Sequence, residues 1–495
     1  MRTIAEMLRW RARRHPSLDA VWFDGRSTTF AAFNESTSQL AAGLIGKLGL
    51  QPGDRVGILD KNCAAYFESF FALDKAGLVA APLNWRLTPH DIKQIVDDVK
   101  PKLMVAGAEF KATAAATGVP AMTFDDLPRG GDDPRRDVDG AVCAQFCTSG
   151  TTGLPKAAML TGWNLLNVGS AGALESPQMR EGGRSLVCLP LFHIGGTIWA
   201  MWAMQTGSTV CIVREPAPDV LLATMVEQRI ESALLVPTLM LLMTELPASR
   251  TADFSALKLI TYGTAPISPD LLRRSIETFK CRFMQLYGLT ETTGPFTTLP
   301  HEQHVGERLL SCGRPMLGGR VRIVDTDGRD LPPYEVGEIL YQGENLMAGY
   351  WAREEATAQA IRDGWFHTGD AGYVDEEGFI FLKDRIKDMI ISGGENVYPA
   401  EIEGVLMGHP EILECAVIGV PDAKWGETVK AVVVRRPGAN VTEAALIAWS
   451  RDKLAGFKRP TSVDFIDALP RNAAGKLLKR TLREPYWAGH TRRIN

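Results

Sequence analysis

Metal-ligand spacing is missing from this chain: its eight cysteines are scattered, Cys143 and Cys147 form the one close pair, and neither a second pair nor a histidine cluster accompanies them. No zinc site is expected on that count, and the cysteines read as reduced thiols of a cytoplasmic protein. Long apolar runs are missing as well. The most apolar stretch, Ile198 to Val213, is broken by Gln205, Gly207 and Ser208 and is too short to cross a bilayer. There is no excess of one charge, since 54 Lys and Arg against 58 Asp and Glu leave a formal net charge of −4, so neither nucleic acid nor an anionic lipid surface is favoured as a partner. Internal repeats, heptads and low-complexity tracts do not occur, which removes solenoids and coiled coils.

What is present is a globular composition of 495 residues, 45% apolar and 23% charged, enough for two to four domain units at about 150 residues each. Met1 to His15 sets arginines 2, 9, 11, 13 and 14 around Ile4, Met7, Leu8 and Trp10, the pattern of an amphipathic helix. Glu6, the lack of an apolar signal region and the direct run into strand-like Ala20 to Phe23 favour a packed first helix over a transit peptide or a membrane-surface helix. From Arg55 onward, strand-like and helix-like segments alternate in the manner of parallel α/β sheets: Val56 to Leu59, Ala64 to Ala76, Val79 to Leu83, Pro89 to Val99, Leu103 to Ala106. Arg129 to Gly140 reads as a polar surface connection. Arg320 to Val324 and Glu338 to Gln342, with turn signals at Asp327-Gly328 and Pro332-Pro333, read as a small barrel or hairpin set. After Lys387 the chain restarts as a compact α/β unit large enough for its own core, with a helix over Pro399 to Met407 and strands at Glu414 to Val420, Val429 to Val434 and Ser462 to Phe465. The expected division is 1–386 and 387–495.

Chemistry concentrates in Cys147-Thr-Ser-Gly-Thr-Thr-Gly-Leu-Pro-Lys156. Gly150 and Gly153 let backbone N–H groups turn inward, the hydroxyls of Thr148, Ser149, Thr151 and Thr152 can donate to oxygens, and Lys156 adds a compact charge. Such a loop suits a polyphosphate. It is not a Walker A loop, because the lysine is followed by Ala157 rather than Ser or Thr. Gln285-Leu-Tyr-Gly-Leu-Thr-Glu291, preceded by Tyr262-Gly-Thr-Ala-Pro266, combines small residues and Tyr287 into a slot for a flat base, with Glu291 able to hold a divalent cation; Tyr287 alone would serve equally as core. In Gly364-Trp-Phe-His-Thr-Gly-Asp370 a carboxylate at a turn can accept ribose hydroxyls or simply cap the turn. Lys383-Asp-Arg385-Ile-Lys387-Asp388 and Pro470-Arg-Asn-Ala-Ala-Gly-Lys476 complete the set, and each alone would pass for a solvated surface.

Together and in this order, these stretches resemble the adenylate-forming superfamily of acyl-CoA synthetases, carrier-protein adenylation domains and luciferases, over nearly the whole chain. Ile391-Ser-Gly-Gly-Glu-Asn-Val-Tyr-Pro-Ala-Glu-Ile-Glu403 and Pro421-Asp-Ala-Lys-Trp-Gly-Glu427 are most similar to bacterial fatty-acyl-CoA synthetases. The resemblance implies a large N-terminal domain of layered β-sheets and helices with a small barrel, and a small mobile α+β C-terminal domain. It implies two steps: a carboxylate attacks the α-phosphorus of ATP to give acyl-adenylate and pyrophosphate, and a thiol then displaces AMP. Thr148 to Gly153 and Lys156 would cradle the leaving phosphates, and Glu291 with Thr151 would orient Mg2+. Gly263, Thr264, Ala265, Pro266, Tyr287, Gly288 and Thr290 would line the adenine site, while Asp370 and Arg385 would hold the ribose. Lys476 would bridge carboxylate and α-phosphate. Lys387 falls at the family's hinge, and Gly393 and Gly394 face the incoming thiol of coenzyme A.

Two departures stand out: Ala157 where the family usually has glycine, and Cys147 where it often has Tyr or Phe. The resemblance also bears on the acid. A tryptophan three residues before the magnesium glutamate closes the family's pocket to acetate, and Gly288 stands there in this chain, which points to a larger acid. His193, in Leu189-Pro-Leu-Phe-His-Ile-Gly-Gly196, occupies a gating or pocket-lining position. The expectation is an AMP-forming acid-CoA ligase acting on a medium- or long-chain fatty or similar acid, with an aromatic or alicyclic acid, or transfer to a separate carrier protein, as alternatives. Expected partners are the acid, ATP and CoA, without nucleic acid or a transmembrane segment; peripheral membrane contact by Arg2 to Arg14 and homo-oligomerisation stay open.

Overall fold

Short apolar segments become parallel strands buried on both faces because each crossover helix lies against the sheet. In the computed structural model, which describes residues 1–148, 155–265, 267–471 and 477–488, the strands Val79–Pro82 and Leu103–Ala106 are buried at every position. Among the described residues they belong to a seven-stranded sheet in the order Gly349–Tyr350, Lys156–Thr161, Val142–Thr148, Val79–Pro82, Arg55–Leu59, Leu103–Ala106, Ala121–Thr123. Pairing is parallel from Val142–Thr148 outward to Ala121–Thr123 and antiparallel on the Lys156–Thr161 side. A nine-stranded sheet carries Arg282–Leu289, Leu259–Gly263, Ser232–Leu235, Arg184–Val187, Thr209–Ile212 and Asp19–Phe23 as parallel neighbours, with antiparallel strands at its edges. The apolar stretch from Ile198 becomes part of the helix Ile194–Thr206 and the strand Thr209–Ile212. Among the described residues no helix is long and apolar enough to cross a membrane.

The helix Ala64–Lys75 is buried along its whole length from Tyr66 onward, as a helix apolar on every side must be. Phe67 meets Phe71 edge to face at 5.2 Å, and Phe33 packs against both. Phe70 stacks on Phe146 at 6.2 Å with an interplanar angle of 10°, tying the helix to the strand Val142–Thr148. Its ionisable residues survive burial only because each is partnered. Glu68 takes two hydrogen bonds from Arg129, Lys75 donates to Asn34 and Ser38, and Asp74 accepts from the Ala5 N–H at 2.8 Å. Burial pushes the Asp74 carboxyl up to about 7 and the Lys75 ammonium down to about 8.

The first helix, Ile4–Arg14, buries Ile4, Ala5, Met7 and Leu8, as its pattern predicts. The connection Arg129 to Gly140 is the polar surface segment its composition announces, with no residue buried and most exposed, and it is fastened at two points. Asp133 and Asp137 grip Arg9 at 2.6 and 2.7 Å, and Thr3 donates to Asp137. Burial alone would lower the Arg9 guanidinium, but the two carboxylates outweigh it and raise it. Arg11 is buried against the Gln205 carbonyl.

The chain divides into two compact units, Met1–Val321 with Tyr341–Phe366, and Arg322–Leu340 with His367–Asn495. The residue pair 386/387 lies inside the second. The strands read as a small barrel or hairpin set join a five-stranded sheet in the order Arg320–Val324, Gly337–Gln342, Trp365–Val374, Ile361–Arg362, with Ile380–Arg385 antiparallel to Trp365–Val374. The C-terminal sheet is built on the antiparallel pair Ile412–Asp422 and Gly426–Arg435, with Ser462–Phe465 parallel to the latter. Side chains alternate across this pair: Val417, Ala431 and Val433 enter a core with the helix Pro399–Met407, while Ala416, Ile418, Val432 and Val434 pack towards the helix Lys479–Trp487.

A folded-state value of about 7 for Asp74, against ~3.9 in an unfolded chain, means the protein binds this proton more tightly than the unfolded chain does. Its stabilisation is complete below about pH 4 and is lost as pH rises through 7, up to about 4 kcal/mol. Asp74→Asn, which retains an oxygen for the Ala5 N–H, should therefore gain melting temperature over the parent progressively from about pH 4 to 7 and level off above that. A difference independent of pH would contradict the assignment.

Candidate functional site

The phosphate-loop sequence connects two strands whose ends are held in register. Thr148 pairs with Lys156, and Cys147 with Ala157, in the antiparallel ladder of Val142–Thr148 and Lys156–Thr161. The loop residues Ser149, Gly150, Thr151, Thr152 and Gly153 lie outside the described residues, as do Pro266 and Lys476. The two departures from the family pattern are thus one cross-strand pair. Ala157 is fully buried, and burial pushes the Cys147 thiol up to about 12.

The strand Gly349–Tyr350 adds to the free edge of Lys156–Thr161, with Tyr350 opposite Ala158. This brings the Tyr350 ring under the Lys156 ammonium, at 5.1 Å, and lets its hydroxyl donate to Glu291 Oε1 at 2.8 Å. Glu291 sits in the tight turn between Arg282–Leu289 and Gly294–Leu299. Its carbonyl accepts from the Met347 N–H, and Asn345 fastens the neighbouring residues by accepting from Thr293 through its backbone and donating to the Thr292 carbonyl through its side chain. Thr290 opens the same turn, its carbonyl accepting from the Thr293 N–H. The cation and the carboxylate proposed for polyphosphate and metal are therefore joined through one aromatic residue. Tyr350 is the residue that the motifs miss; its only local signal is a Gly-Tyr pair 59 positions after Glu291.

The base slot is built by close backbone approach. A Cβ on Gly263 would meet the Leu286 carbonyl oxygen at 2.4 Å, and one on Gly288 would meet that of Gly294 at 1.9 Å. Gly288 is thus fixed by the bulged hairpin around Tyr287 and Gly288. Between Gly263 and Ala265, Thr264 adopts φ 66°, a left-handed conformation that costs a β-branched residue of order 1–3 kcal/mol and is characteristic of functional sites. Tyr287 packs against Phe296 at 4.9 Å, and Phe296 against Tyr341 at 4.3 Å.

His193 caps the helix Ile194–Thr206, with the Phe192 ring 4.6 Å away. Burial, with a smaller push from Arg86, lowers the imidazole to about 4, which favours its neutral form at physiological pH. Asn62 fixes the preceding segment by donating to the Leu189 carbonyl and accepting from the Leu191 N–H. Beside it opens a recess of about 280 Å³ lined by Asn62, Trp85, Arg86, Cys188, Pro190 and Arg214 among others.

In the second unit, Asp370 and Arg385 face each other across antiparallel strands, Nε to Oδ1 at 2.5 Å. Asp370 lies within the strand Trp365–Val374 rather than at a turn, and Glu338, also absent from the motifs, holds that stretch: it takes the Gly369 N–H at 3.1 Å and pairs with His367 Nδ1 at 2.8 Å. Lys387 lies in the single turn Ile386–Asp388. Gly393 and Gly394, with φ of 61° and 89°, form the two-residue turn of the hairpin Ile390–Ser392 and Glu395–Val397, where two positive φ values match the twist of the strands. The segment with Lys476 is closed at its ends by a bridge between Arg471 and Leu477.

Within α/β sheets one tyrosine thus holds a lysine and a carboxylate together, a pair suited to anionic oxygens and a cation. The family model for AMP-binding enzymes matches residues 8–351, and that for the AMP-binding enzyme C-terminal domain matches residues 401–476. The chain is 40% identical to a feruloyl-CoA synthase of an Amycolatopsis species, over 96% of this chain and 97% of the other. It is 38% identical to a fatty acid acyl-carrier-protein ligase of Streptomyces coeruleorubidus, over 100% and 98%. The solved o-succinylbenzoate CoA synthetase of Bacillus subtilis, in complex with its acyl-adenylate intermediate, superposes with a TM-score of 0.87 at 31% identity, covering 96% of this chain and 97% of that one. The chain belongs to the AMP-binding enzyme family and is an AMP-forming acid-CoA ligase.

Tyr350→Phe removes the one hydroxyl donor described at Glu291 while keeping the ring under Lys156. Loss of a hydrogen bond to a charged group is worth about 1.5–3 kcal/mol. The variant should need roughly tenfold more magnesium for half-maximal pyrophosphate release, with its melting temperature within a few degrees of the parent. An unchanged magnesium dependence would show that Tyr350 does not position Glu291.

Proposed function

We propose that this ligase activates a medium- or long-chain fatty acid, or an acid of similar bulk, and transfers the acyl group to CoA. The carrying observation is Gly288, which stands where a tryptophan closes the family's pocket down to acetate; a Cβ on this backbone would meet the Gly294 carbonyl oxygen at 1.9 Å, which supports the absence of such a side chain here. Full-length similarity to a fatty acid ligase supports the reading, as does the fatty acyl CoA synthetase of Mycobacterium tuberculosis, which superposes with a TM-score of 0.79 at 32% identity. The feruloyl-CoA synthase, at 40% identity, favours a second reading in which the acid is aromatic.

The reaction follows from the assigned groups. A carboxylate oxygen attacks the α-phosphorus of ATP and the bond to pyrophosphate breaks; the CoA sulfur then attacks the acyl carbon and AMP leaves. Lys156 and the loop 148–153 hold the departing phosphates, offsetting charge as it develops. Among the described residues no group of three His, Cys, Asp or Glu could hold a metal, whereas one fixed carboxylate beside a phosphate site is the donor set magnesium takes together with phosphate oxygens. Glu291 with Thr151 would hold it there, where it supplies neutralisation of the phosphate charge. Asp370 and Arg385 orient the ribose, and Tyr287 with Gly263 to Pro266 takes the adenine. Lys476 bridges the carboxylate and the α-phosphate as a mobile point charge. Lys387 is the hinge between the domains 1–386 and 387–495, which lets the Gly393-Gly394 turn face the thiol step.

The test is pyrophosphate release measured over straight-chain acids of rising length and over ring-bearing acids, with and without CoA. A maximum at medium or long chains with stimulation by CoA is expected. A maximum on ring-bearing acids would transfer the assignment to the aromatic reading, and a preference for acetate, or release indifferent to CoA, would overturn the proposal.

A further inference from the structure

The helix Lys479–Trp487 follows the Lys476 segment directly, and two of its cations reach the hinge sequence. Lys479 Nζ lies 2.8 Å from Glu403 Oε1 and 3.8 Å from Asp384 Oδ2. Arg483 pairs with Asp388 at 2.9 Å and donates to the Lys387 carbonyl at 3.4 Å. Asp384 also caps the helix Pro399–Met407, accepting the Ala400 N–H at 2.8 Å, and Glu403 accepts the Val417 N–H at the same distance. The side chains of Lys479, Asp384, Arg483 and Asp388 are all about nine-tenths buried, so these pairs are not screened as surface ion pairs are. Burial raises the Asp384 and Glu403 carboxyls; it would lower the Lys479 ammonium, but the two carboxylates outweigh it.

These contacts fall into two classes about residue 387. Glu403–Lys479 and Asp388–Arg483 join residues that both follow the hinge, so a rotation about Lys387 carries each pair along whole. Asp384 precedes the hinge, and its ion pair with Lys479 and its hydrogen bond from the Ala400 N–H cross it. We propose that Asp384 and Lys479 form a latch across the hinge, positioning residues that hold one orientation of the C-terminal part and must separate for the enzyme to pass between its two half-reactions. Opening the latch strands no cation, because Lys479 keeps Glu403 and Arg483 keeps Asp388. Breaking a buried pair is expensive when it leaves a charge alone; here Asp384 keeps the Arg385 N–H, and it and the Ala400 N–H are the groups that need new partners. The inference rests on the reading of Lys387 as the hinge.

Asp384→Asn tests it, since the amide oxygen still accepts the Ala400 N–H while the charge opposite Lys479 is gone. Adenylation is followed by exchange of pyrophosphate into ATP, and thioester formation by supplying acyl-adenylate and CoA. The ratio of the two rates should shift at least threefold from the parent, and trypsin should cut after Lys387 several-fold faster, with the melting temperature little changed. Lys479→Arg, which keeps the charge, should retain the parental ratio. Equal loss of both rates, or an unchanged ratio, overturns the latch. Lys387→Pro separates this from failure of the underlying reading: if that variant divides the half-reactions and Asp384→Asn does not, the latch alone falls, and if Lys387→Pro does not divide them, hinge and latch fall together.

Discussion

The buried helix Ala64–Lys75 is the constraint from which the rest of the first unit follows. It carries an acid, a second acid and a lysine into an interior where isolated charges are not tolerated. Each partner is supplied by a different part of the chain: Ala5 on the first helix, Asn34 and Ser38 on the next, and Arg129 on the connection that follows. The Arg9 pairs with Asp133 and Asp137 then fasten that connection to the first helix. Through Phe70 on Phe146 the same helix fixes the strand that ends in the phosphate loop. Truncating one such core aromatic would cost about 3–5 kcal/mol, so the fixed half of the site rests on apolar packing as much as on its own polar contacts.

That fixed half is organised around Tyr350. Glu291 and Lys156 lie far apart in sequence and on different sheets, and a short edge strand carries the ring between them. A hydroxyl on the carboxylate and a π-face under the ammonium orient two opposite charges through one ring, an arrangement that suits an ammonium meeting anionic oxygens and a carboxylate meeting a cation. The second unit follows a different rule. There Lys479 and Arg483 of the final helix pair with Glu403, Asp384 and Asp388, residues of other segments of the same unit.

Much of this was legible in the sequence, and the part that was not has a common cause. Alternating apolar strands and amphipathic helices announced the parallel sheets, Pro399 to Met407 was readable as a helix to the residue, and Asp370 and Arg385, singled out by separate motifs, meet across one ladder. The recognisable features are local: a periodicity, a turn, a dense run of glycines and hydroxyls. Tyr350, Glu338 and Lys479 act through partners tens of residues away, and a single tyrosine, glutamate or lysine carries no pattern that distinguishes it from core or surface. The surface segment from Arg129 was readable as such, but its pairs with Arg9 were not, because composition reports how polar a stretch is and not which charges partner it.

The central claim is a division of labour, with a fixed phosphate site and a separate lysine that serves only the first step. Lys476→Ala measures it directly. The variant should lose pyrophosphate release from ATP and acid, yet still convert supplied acyl-adenylate and CoA to thioester at close to the parental rate. Normal adenylation by the variant, or equal loss of both steps, would contradict the account.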